Sequence, residues 1–404
     1  MDIGLIQLAF WLAAIVLAYV YVGYLLLLAL VAGPGKRESP SLPVSADLPR
    51  VTLLISAYNE RSVIEQKIQN SLALDYPRNH LSVVVVSDCS DDGTDDVVLR
   101  YAPQGIQLVR SSTRLGKTAG LNLGVKYASG DILIFSDANA IYQPDAPRFL
   151  TRHFADPRVG YVVGNARYLD ASNPSASADS EGLYWKLETW MKKKESLFGS
   201  VVGGDGAIYA IRRELYSPLR NTDINDFLNP LQIIVRGYRG VYEPSAICFE
   251  EAGDTFEKEF RRKVRIVSRS LHALRRAPRV LLPWIQPKHW LSLLSHKVLR
   301  WFAPAFLIIL LVASLLLWSH PFYRLAACTQ VAFYLLAVIG WICPPRSTVL
   351  RLVSLPYYFC LVNAASLLGI FNCFSGSLTP TWQTIRQSPA PPSDKPVKLA
   401  KRGS

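Results

Sequence analysis

An uncharged apolar segment near the start of the chain is the feature that most limits how it can fold. Residues 3–32 contain no Asp, Glu, Lys or Arg. At 1.5 Å per residue, the stretch 5–31 is long enough to cross the roughly 30 Å of hydrocarbon in a bilayer. A cleaved signal peptide is the alternative, but such a peptide needs a basic start and a shorter apolar core. The sequence therefore predicts a transmembrane helix within residues 1–33, followed by a linker at 34–50.

A second apolar region follows residue 300. Residues 301–318 and 325–341 predict two further spans, and the tryptophans at their outer ends suit the interfacial belt of a membrane. A third run, 352–374, is interrupted by Pro356 and by two polar residues, so it predicts either a span or a re-entrant segment. We expect a C-terminal membrane region at 301–374 with three or four spans in the whole chain, and a basic, partly disordered tail at 375–404.

The basic residues near the span ends predict the orientation. If Asp2 lies on one side of the membrane, the ends of the first three predicted spans that carry basic residues all lie on the other side. Basic span ends are typically cytoplasmic, so the long middle region is expected in the cytoplasm of a multi-pass inner-membrane protein. The basic residues that carry this prediction are Lys36, Arg37, Lys297, Arg300, Arg346 and Arg351. The basic tail argues instead for a re-entrant last segment, because a fourth span would place it outside. The number of spans therefore stays open.

Composition excludes several other classes of protein. Half of the 404 residues are hydrophobic and 19% are charged, which is the reverse of the balance found in disordered chains. The six cysteines have no metal-binding spacing, so a zinc module or a disulfide scaffold is not expected. The net charge of +13 is compatible with a nucleic-acid partner, but basic residues beside membrane spans are better explained by lipid headgroups.

The middle of the chain has the pattern of an α/β domain. Short apolar runs at 51–57, 81–87, 106–110 and 131–136 alternate with helix-like stretches. Such alternation predicts a parallel sheet covered on both faces, whose ligands bind at the carboxyl ends of the strands. Neither a Walker loop nor a GxGxxG motif occurs, so P-loop enzymes and dinucleotide dehydrogenases lose their main support.

Polar residues follow three of these runs. Asp137 and Asn139 present two oxygen side chains two positions apart, a pattern that suits Mg²⁺ or Mn²⁺ bound together with substrate phosphates. A capped turn explains the same pattern equally well. Lys117 follows Gly116 at a predicted helix start, where backbone N–H groups and an ammonium favour phosphate. An ordinary helix cap is the alternative there.

The order of these motifs resembles the nucleotide-sugar half of the family 2 glycosyltransferases, and especially their membrane-embedded, cellulose-synthase-like branch. The motifs are Ser56-Ala57-Tyr58-Asn59-Glu60, Ser87-Asp88-Cys89-Ser90-Asp91-Asp92-Gly93-Thr94, Gly116-Lys117 with Leu121-Asn122, and Ser136-Asp137-Ala138-Asn139. The resemblance implies an α/β GT-A domain with a Rossmann-like parallel sheet at residues 51–280. An amphipathic interface segment at 281–300 would connect it to the membrane region.

The resemblance also implies roles for individual residues. The donor would be a UDP-sugar, with a divalent metal, Mg²⁺ or Mn²⁺, held by Asp137 and Asn139. The nucleotide-sugar would lie against Tyr58, Glu60, Asp88, Lys117, Arg262 and Arg265. The acceptor would meet the loop that contains Gly204, Asp205 and Gly206. Asp226 would be the general base, with Asp223 as the second choice, and a single base without a protein nucleophile implies inversion at the anomeric carbon.

Two motifs depart from the family pattern, the second of them with Arg262 in place of its glutamine as well. Asn139 stands where a DxD motif has its second acid, which removes one charge from the metal site. Ile266 stands where the QxxRW motif of processive synthases has a tryptophan that helps to form the acceptor end. The sequence therefore leaves three interpretations open: synthesis of a polysaccharide, transfer of one sugar to a membrane lipid, and a non-catalytic nucleotide-sugar-binding membrane protein.

The basic residues of the stretch 261–279 are predicted to have two roles, binding of substrate and contact with the membrane surface. Arg262 and Arg265 match the family motif and are assigned to substrate. A basic amphipathic helix lying on lipid headgroups explains the others, and these are Arg261, Arg269, Arg275 and Arg276. The following residues are expected to lie at the same membrane interface: Tyr184, Trp185, Trp190 and three isolated histidines, His272, His289 and His296.

Overall fold

The computed structural model describes residues 2–32, 48–169, 176–251, 255–342 and 348–377. Most of the predicted linker at 34–50 and of the predicted tail at 375–404 lies outside the described residues. So do Lys36, Arg37 and Arg346, on which part of the predicted orientation rests, and the side chain of Arg351.

The described chain forms eight strands and thirteen α-helices. The strands are β1 Val51–Ala57, β2 Leu81–Ser87, β3 Ile106–Arg110, β4 Ile132–Asp137, β5 Ile141–Tyr142, β6 Val159–Leu169, β7 Tyr209–Arg212 and β8 Arg239–Glu251. The helices are α1 Ile3–Ala18, α2 Tyr24–Val31, α3 Arg61–Leu72, α4 Thr94–Leu99, α5 Lys117–Val125, α6 Ala146–Thr151, α7 Ala176–Phe198, α8 Asn225–Val235, α9 Phe256–Arg276, α10 Pro287–Leu293, α11 Leu299–Leu316, α12 Pro321–Ile342 and α13 Thr348–Ser375.

The first four long strands form the parallel sheet that the sequence predicts. Their order is β3-β2-β1-β4, and every neighbouring pair is parallel. All seven residues of β1 are buried. Leu53 and Ile55 pack into the core on one face of the sheet, and Leu54 packs into the core on the other. Continuous burial of this kind is what a strand covered by helices on both faces requires.

The other half of the sheet is mixed, which the sequence did not predict. It continues in the order β7-β6-β8-β5. β7 is antiparallel to both β4 and β6, β6 and β8 are parallel, and β5 is antiparallel to β8. The predicted parallel sheet is therefore confirmed for the four strands on which that prediction was based. The later strands are joined by longer and less regular segments, so their direction is not visible in local periodicity.

Four helical segments are long and apolar enough to cross a membrane within the described residues. They are Ile3–Val31, Pro287–Leu316, Pro321–Ile342 and Ser354–Ser375. The first consists of α1 and α2 joined by a π-helical turn at Tyr19–Gly23. α13 contains the fourth segment and continues through Pro356 without a break. That continuity favours a span over a re-entrant segment.

α9 packs on protein, not on lipid alone. Its apolar residues Val267 and Leu271 are buried in a cluster with Leu231 of α8 and Trp301 of α11. Gly369 of α13 allows close approach, because a methyl group there would lie 2.8 Å from the Val267 side chain. The interpretation of α9 as a helix lying on lipid headgroups was therefore wrong for its apolar face, which joins the α/β domain to the candidate membrane helices.

Candidate active site

The carboxyl ends of β1, β2 and β4 lie side by side at one edge of the sheet. Tyr58 follows β1, Asp88 follows β2, and Asp137 ends β4. Ser56 lies opposite Asp137 in the parallel pairing, and its hydroxyl donates a 3.4 Å hydrogen bond to Asp137 Oδ1. The sheet therefore brings together predicted site residues that are up to 79 positions apart in the sequence, as the distance from Tyr58 to Asp137 shows.

Tyr58 and Glu60 line one side of this edge. Both are half-buried, and the guanidinium of Arg114 lies 3.7 Å from the centroid of the Tyr58 ring. The backbone N–H of Glu60 donates to Thr94 Oγ1 at 2.9 Å, which ties the end of β1 to the start of α4. The sequence-based prediction did not assign a role to Arg114. Its position two residues before Gly116 was the available signal.

Asp88 is buried and holds the loop that precedes α5. Its two carboxylate oxygens accept backbone hydrogen bonds from Leu115 and Gly116, each at 2.9 Å. Burial raises the pKa of Asp88, while these two N–H groups act in the opposite direction. A contact between Asp88 and a nucleobase would have to use the remaining lone pairs of a carboxylate that already tethers the loop.

Lys117, the first residue of α5, reaches across to the end of β4. Its ammonium contacts Asp137 Oδ1 and lies 3.5 Å from the carbonyl oxygen of Gly206. Burial opposes the charge of Lys117, but the carboxylates of Asp137 and Asp226 outweigh burial and raise its pKa. This ammonium is therefore charged throughout the neutral range, as a group that attracts phosphate must be.

The Asp137-Ala138-Asn139 segment is arranged as an oxygen-ligand site requires. Asp137 and Asn139 are partly exposed, whereas Ala138 and Ala140 are buried, so the two oxygen-bearing side chains alternate with core residues. No group of three or more His, Cys, Asp or Glu side chains that could hold a metal occurs within the described ranges. A cation here would need oxygens from the substrate, which is how Mg²⁺ is commonly bound with phosphates. The residues fit such a shared site.

The predicted acceptor-side loop faces the same groups. A methyl group on Gly206 would lie 3.1 Å from Lys117 Nζ, 3.2 Å from Asp226 Oδ2 and 3.8 Å from Asp137 Oδ2. Gly206 is therefore the point where one cation and two carboxylates converge. The backbone N–H of Gly204 contacts the carbonyl oxygen of Asp226, which joins the loop to the start of α8.

Asp226 and Asp223 have different environments. Asp223 is 1% exposed, and its carboxylate accepts bonds from Arg276 at 2.8 Å and from the backbone of Arg220 at 2.9 Å. Asp226 instead faces Gly206. Burial raises the pKa of Asp226, Lys117 lowers it, and nearby carboxylates raise it further, so the net shift is upward. A carboxylate with a raised pKa beside an open glycine suits general-base chemistry better than a fixed ion pair does.

α9 brings two arginines towards these acids. Arg262 donates to Glu259 at 2.7 Å, and Arg265 is half-buried one turn further along the helix. Burial and Arg262 lower the pKa of Arg265, while Asp137 and Asp226 act in the opposite direction. Glu250, near the end of β8, belongs to the same cluster: burial and nearby carboxylates raise its pKa against the effect of Arg262. The sequence-based prediction did not give Glu250 a site role.

Arg269 is not at the membrane surface, and that prediction was wrong. It is 7% exposed, and its guanidinium donates to the backbone carbonyls of Asn221, Thr222 and Asp223 at 3.0, 2.8 and 2.5 Å. Arg276 pairs with the carboxylate of Asp223. These two arginines hold the segment that leads to Asp226. Of the others, Arg261 is exposed and pairs with Glu257, and Arg275 lies over the ring of Phe374.

A buried lysine contacts the segment that follows Asp137. Lys67 is fully buried, its ammonium contacts the carbonyl oxygen of Ala140, and it lies 4.0 Å from the centroid of the Tyr142 ring. Burial lowers the pKa of Lys67 to about 7. The Tyr142 hydroxyl donates to the carbonyl oxygens of Phe135 and Ala207, at 3.1 and 2.9 Å. The two partners of Lys67, Ala140 and Tyr142, lie 73 and 75 residues away in sequence, so no local pattern identifies this lysine.

Three of the residues that were assigned to the membrane interface make contacts within the protein. Trp185 donates to the carbonyl oxygen of Ala166 at 2.6 Å, and Trp190 packs with Tyr24 of α2. His296 is fully buried between two glutamates, so its description as isolated was wrong. The side chain of Tyr184 lies outside the described residues.

Comparison with known proteins identifies the family of the domain. Residues 52–219 match the family model described as glycosyl transferase family 2. The chain contains a family 2 glycosyltransferase domain. The match begins in β1 and includes Tyr58, Asp88, Lys117, Asp137 and the Gly204–Gly206 loop, whereas Asp226 and the arginines of α9 lie beyond its end.

Two curated relatives are similar to somewhat more than half of the chain. One is the poly-beta-1,6-N-acetyl-D-glucosamine synthase of Staphylococcus aureus strain COL, 28% identical over 235 residues, or 57% of this chain and 56% of that protein. The other is the probable glycosyltransferase YdaM of Bacillus subtilis strain 168, 27% identical over 240 residues, or 54% of each. The chain spans about half the length of the curated relatives it matches.

A solved structure shares the fold over most of the chain. The mannosyltransferase PcManGT from Pyrobaculum calidifontis, in complex with GDP-Man and Mn²⁺, superposes with a TM-score of 0.66 at 24% identity. The superposition covers 89% of this chain and 99% of that one. The predicted α/β GT-A fold class is therefore confirmed.

Proposed function

We propose that this chain is a membrane-bound inverting glycosyltransferase that transfers a sugar from a UDP-sugar to a growing polysaccharide. The observation that carries the proposal is the convergence of Lys117, Asp137 and Asp226 around Gly206 in a family 2 domain. The similarity to a poly-beta-1,6-N-acetyl-D-glucosamine synthase supports a polysaccharide product and makes an N-acetylglucosamine donor the first to test.

The donor would lie along the carboxyl edge of the parallel strands. Tyr58, Glu60 and Asp88 would line the nucleoside end, where Arg114 already stacks on the Tyr58 ring. Lys117 would face the diphosphate from the start of α5, where the helix dipole adds to its charge. Arg262 and Arg265 would approach the diphosphate from α9. A divalent cation held by Asp137 and Asn139 would neutralise negative charge that develops on the leaving diphosphate.

Asp226 would act on the acceptor. Its carboxylate would accept the proton of the attacking hydroxyl as that oxygen bonds to the anomeric carbon and the bond from this carbon to UDP breaks. The UDP leaves with the bonding electrons, and the sugar is inverted by the single displacement. Gly206 would leave room for the reacting groups, because any side chain there would enter the space between Lys117 and Asp226.

The protein would work at the cytoplasmic face of the inner membrane. Lys297 and Arg300, in the first half of the second candidate span, lie beside Glu188 of α7, which belongs to the family 2 domain. The excess of basic residues at this side supports a cytoplasmic location. Membrane lipids would be partners of the four candidate spans.

Transfer of one sugar to a membrane lipid is the second candidate. Ile266 replaces the motif tryptophan and is partly exposed, at 36% of its surface. Phe227 follows Asp226 and packs on Trp301, and both rings are 7% exposed, while Tyr209, near Asp226, is fully buried. These three rings leave little surface for stacking on a sugar chain. These features favour an apolar acceptor.

A transfer assay on the protein in native lipid tests both candidates. The donors would be labelled UDP-sugars, including UDP-N-acetylglucosamine, with Mn²⁺ or Mg²⁺, and the products would be separated by gel and by organic extraction. A large aqueous product is expected. A single labelled lipid in the organic phase would establish the second candidate instead. Donor binding without release of UDP would contradict both and support a non-catalytic binding protein.

A further inference from the structure

One face of α7 carries three buried charged residues. Glu188, Lys192 and Glu195 follow helical spacing, and their exposed fractions are 5%, 6% and 0%. Burying a charge is costly unless it is paired and hydrogen-bonded. Each of the three residues has such partners, and the partners belong to two different parts of the molecule.

Glu195 connects the first two membrane spans to the loop that carries Gly204, Asp205 and Gly206. Its Oε1 accepts a 2.8 Å bond from the Tyr24 hydroxyl of α2 and lies 2.7 Å from His296 Nδ1. Its Oε2 accepts a 3.2 Å bond from the backbone N–H of Val202, the residue before Gly203. One carboxylate therefore joins two membrane segments to the start of this loop.

Glu188 and Lys192 extend the same connection. Glu188 lies 2.9 Å from His296 Nε2 and accepts a 2.8 Å bond from Lys297. Burial opposes the charge of Glu188, but His296 and Lys297 outweigh it and hold its pKa well below the usual range. Lys192 donates to Asp205 Oδ2 at 3.1 Å. The charged face of α7 thus contacts the loop at Val202 and at Asp205.

His296 is placed between the two glutamates. Carboxylates accept hydrogen bonds, so an imidazole with a proton on each nitrogen donates to both at once. Its two nitrogens have separate partners, since Nδ1 faces Glu195 and Nε2 faces Glu188. This separation allows each contact to be removed without the other.

We propose that Glu195, held by Tyr24 and His296, is a positioning residue that sets the acceptor-side loop relative to the first two membrane spans. The inference rests on the proposed function, because it assigns that loop to the acceptor. The donor residues have a different support: Asp88 holds their loop through Leu115 and Gly116. Loss of the α7 contact is therefore expected to impair transfer while UDP binding is retained.

Two substitutions of His296 test the proposal as a matched pair. His296→Gln keeps an amide donor near the Nε2 position, towards Glu188, and loses the contact with Glu195. His296→Asn keeps a donor near Nδ1, towards Glu195, and loses the contact with Glu188. The measurement is the amount of sugar transferred per UDP released, with the UDP-sugar that the wild type consumes, beside UDP affinity. The exposed His320, between the second and third spans, gives a control as His320→Gln.

We expect His296→Gln to lower the sugar transferred per UDP released by about tenfold. Small misplacements of reacting groups slow transfer to the acceptor by that much or more, and water then attacks the anomeric carbon instead, which releases UDP and the free sugar. His296→Asn should lower it by less, and His320→Gln should leave it unchanged. UDP affinity should stay within about threefold of the wild type in all three, since the donor residues are not touched. Equal effects of His296→Gln and His296→Asn, or a parallel loss of UDP affinity, would overturn the proposal.

A milder variant keeps the test decisive if His296 substitutions prevent folding. Tyr24→Phe removes a single hydroxyl that bonds to Glu195, and it should lower the same ratio by about two- to fivefold, as expected for one hydrogen bond. An unchanged ratio in Tyr24→Phe would count against the proposal. A wild type that releases no UDP from any donor would overturn the proposed function itself, and this inference with it.

Discussion

The two halves of the candidate site are built in different ways. Most of the donor half comes from β1 to β4 and the loops after them, within the continuous stretch 51–140, and Arg262 and Arg265 of α9 complete it. The acceptor half comprises the 203–206 loop and helices α7 and α8, and it depends on contacts with α9 and the membrane helices. Under the proposed function, most of the donor site is encoded locally, whereas placement of the acceptor requires the whole chain to assemble.

The halves meet at Gly206, where their charges act on one another. Asp137 belongs to the donor half and Asp226 to the acceptor half, and each affects the pKa of Lys117. Changes in either half are therefore expected to have separable effects on binding and transfer, except at the meeting point itself.

Asp226→Asn, a change in the acceptor half, should cause the largest loss of turnover. We expect turnover to fall by about 1,000-fold, within the range that general-base catalysis contributes, because the acceptor hydroxyl loses its proton acceptor. Release of UDP per unit time in native lipid is the measurement. Asp223→Asn is the matched control: it weakens the bond to Arg276, so it should lower the melting temperature while turnover falls far less. Equal losses of turnover in the two variants would contradict this assignment.

Asp137→Asn should act on the donor half through the metal. Asp137 supplies the only carboxylate of the Asp137–Asn139 pair. Its removal should raise the metal concentration needed for half-maximal activity by about 10- to 100-fold, because loss of even an outer-shell partner of a metal lowers metal affinity by that much. Asn139→Asp restores a second carboxylate and should lower that concentration, since ligand charge sets affinity. Titration of activity with Mn²⁺ measures both. An Asn139→Asp variant that needs more metal would show that Asn139 is not a ligand.

Gly206→Ala should affect both halves at once. Its methyl group would lie 3.1 Å from Lys117 Nζ and 3.2 Å from Asp226 Oδ2, so we expect about tenfold lower transfer from displaced reacting groups. Gly105→Ala is the control, because Gly105 has open space around it and a φ of +87°, so it should cost about 1 kcal/mol of stability without changing transfer. Normal transfer by Gly206→Ala would contradict the convergence of the halves at this glycine.

The pH dependence should reflect the raised pKa of Asp226. Its carboxylate form accepts the proton, so activity is lost as the pH falls through that pKa, and the loss begins at higher pH than for an ordinary aspartate. Below this point, turnover should fall by about tenfold per pH unit. A pH–rate profile of donor consumption measures it. UDP binding at the same pH values should fall less, and a parallel fall would assign the titration to the donor half.

The donor half could largely be predicted from the sequence. Short apolar strands followed by Tyr58, Asp88 and Asp137 are local patterns, and parallel pairing brings their ends together without further information. The loop at Gly204–Gly206 and Asp226 were predicted through family resemblance, and the structure places them against Lys117.

The contacts that support the acceptor half could not be predicted in this way. Arg269 belongs to a basic helix that resembles a lipid-binding one, and only the folded chain shows it bonded to carbonyls 46 to 48 residues away. His296 meets glutamates 101 and 108 residues away. The helical spacing of Glu188, Lys192 and Glu195 was a signal of a charged face, but it could not name the partner of that face.

Binding of UDP to Asp226→Asn in the presence of Mn²⁺ tests the central claim most directly. Isothermal titration would compare this variant with the wild type and with Asp137→Asn, each in the same lipid. The division into a donor half and an acceptor half predicts that Asp226→Asn binds UDP with an affinity within about threefold of the wild type, because a general base acts on the acceptor hydroxyl in the transition state and not on bound UDP, while Asp137→Asn loses the metal-dependent part of binding. Loss of UDP binding in Asp226→Asn would contradict the division.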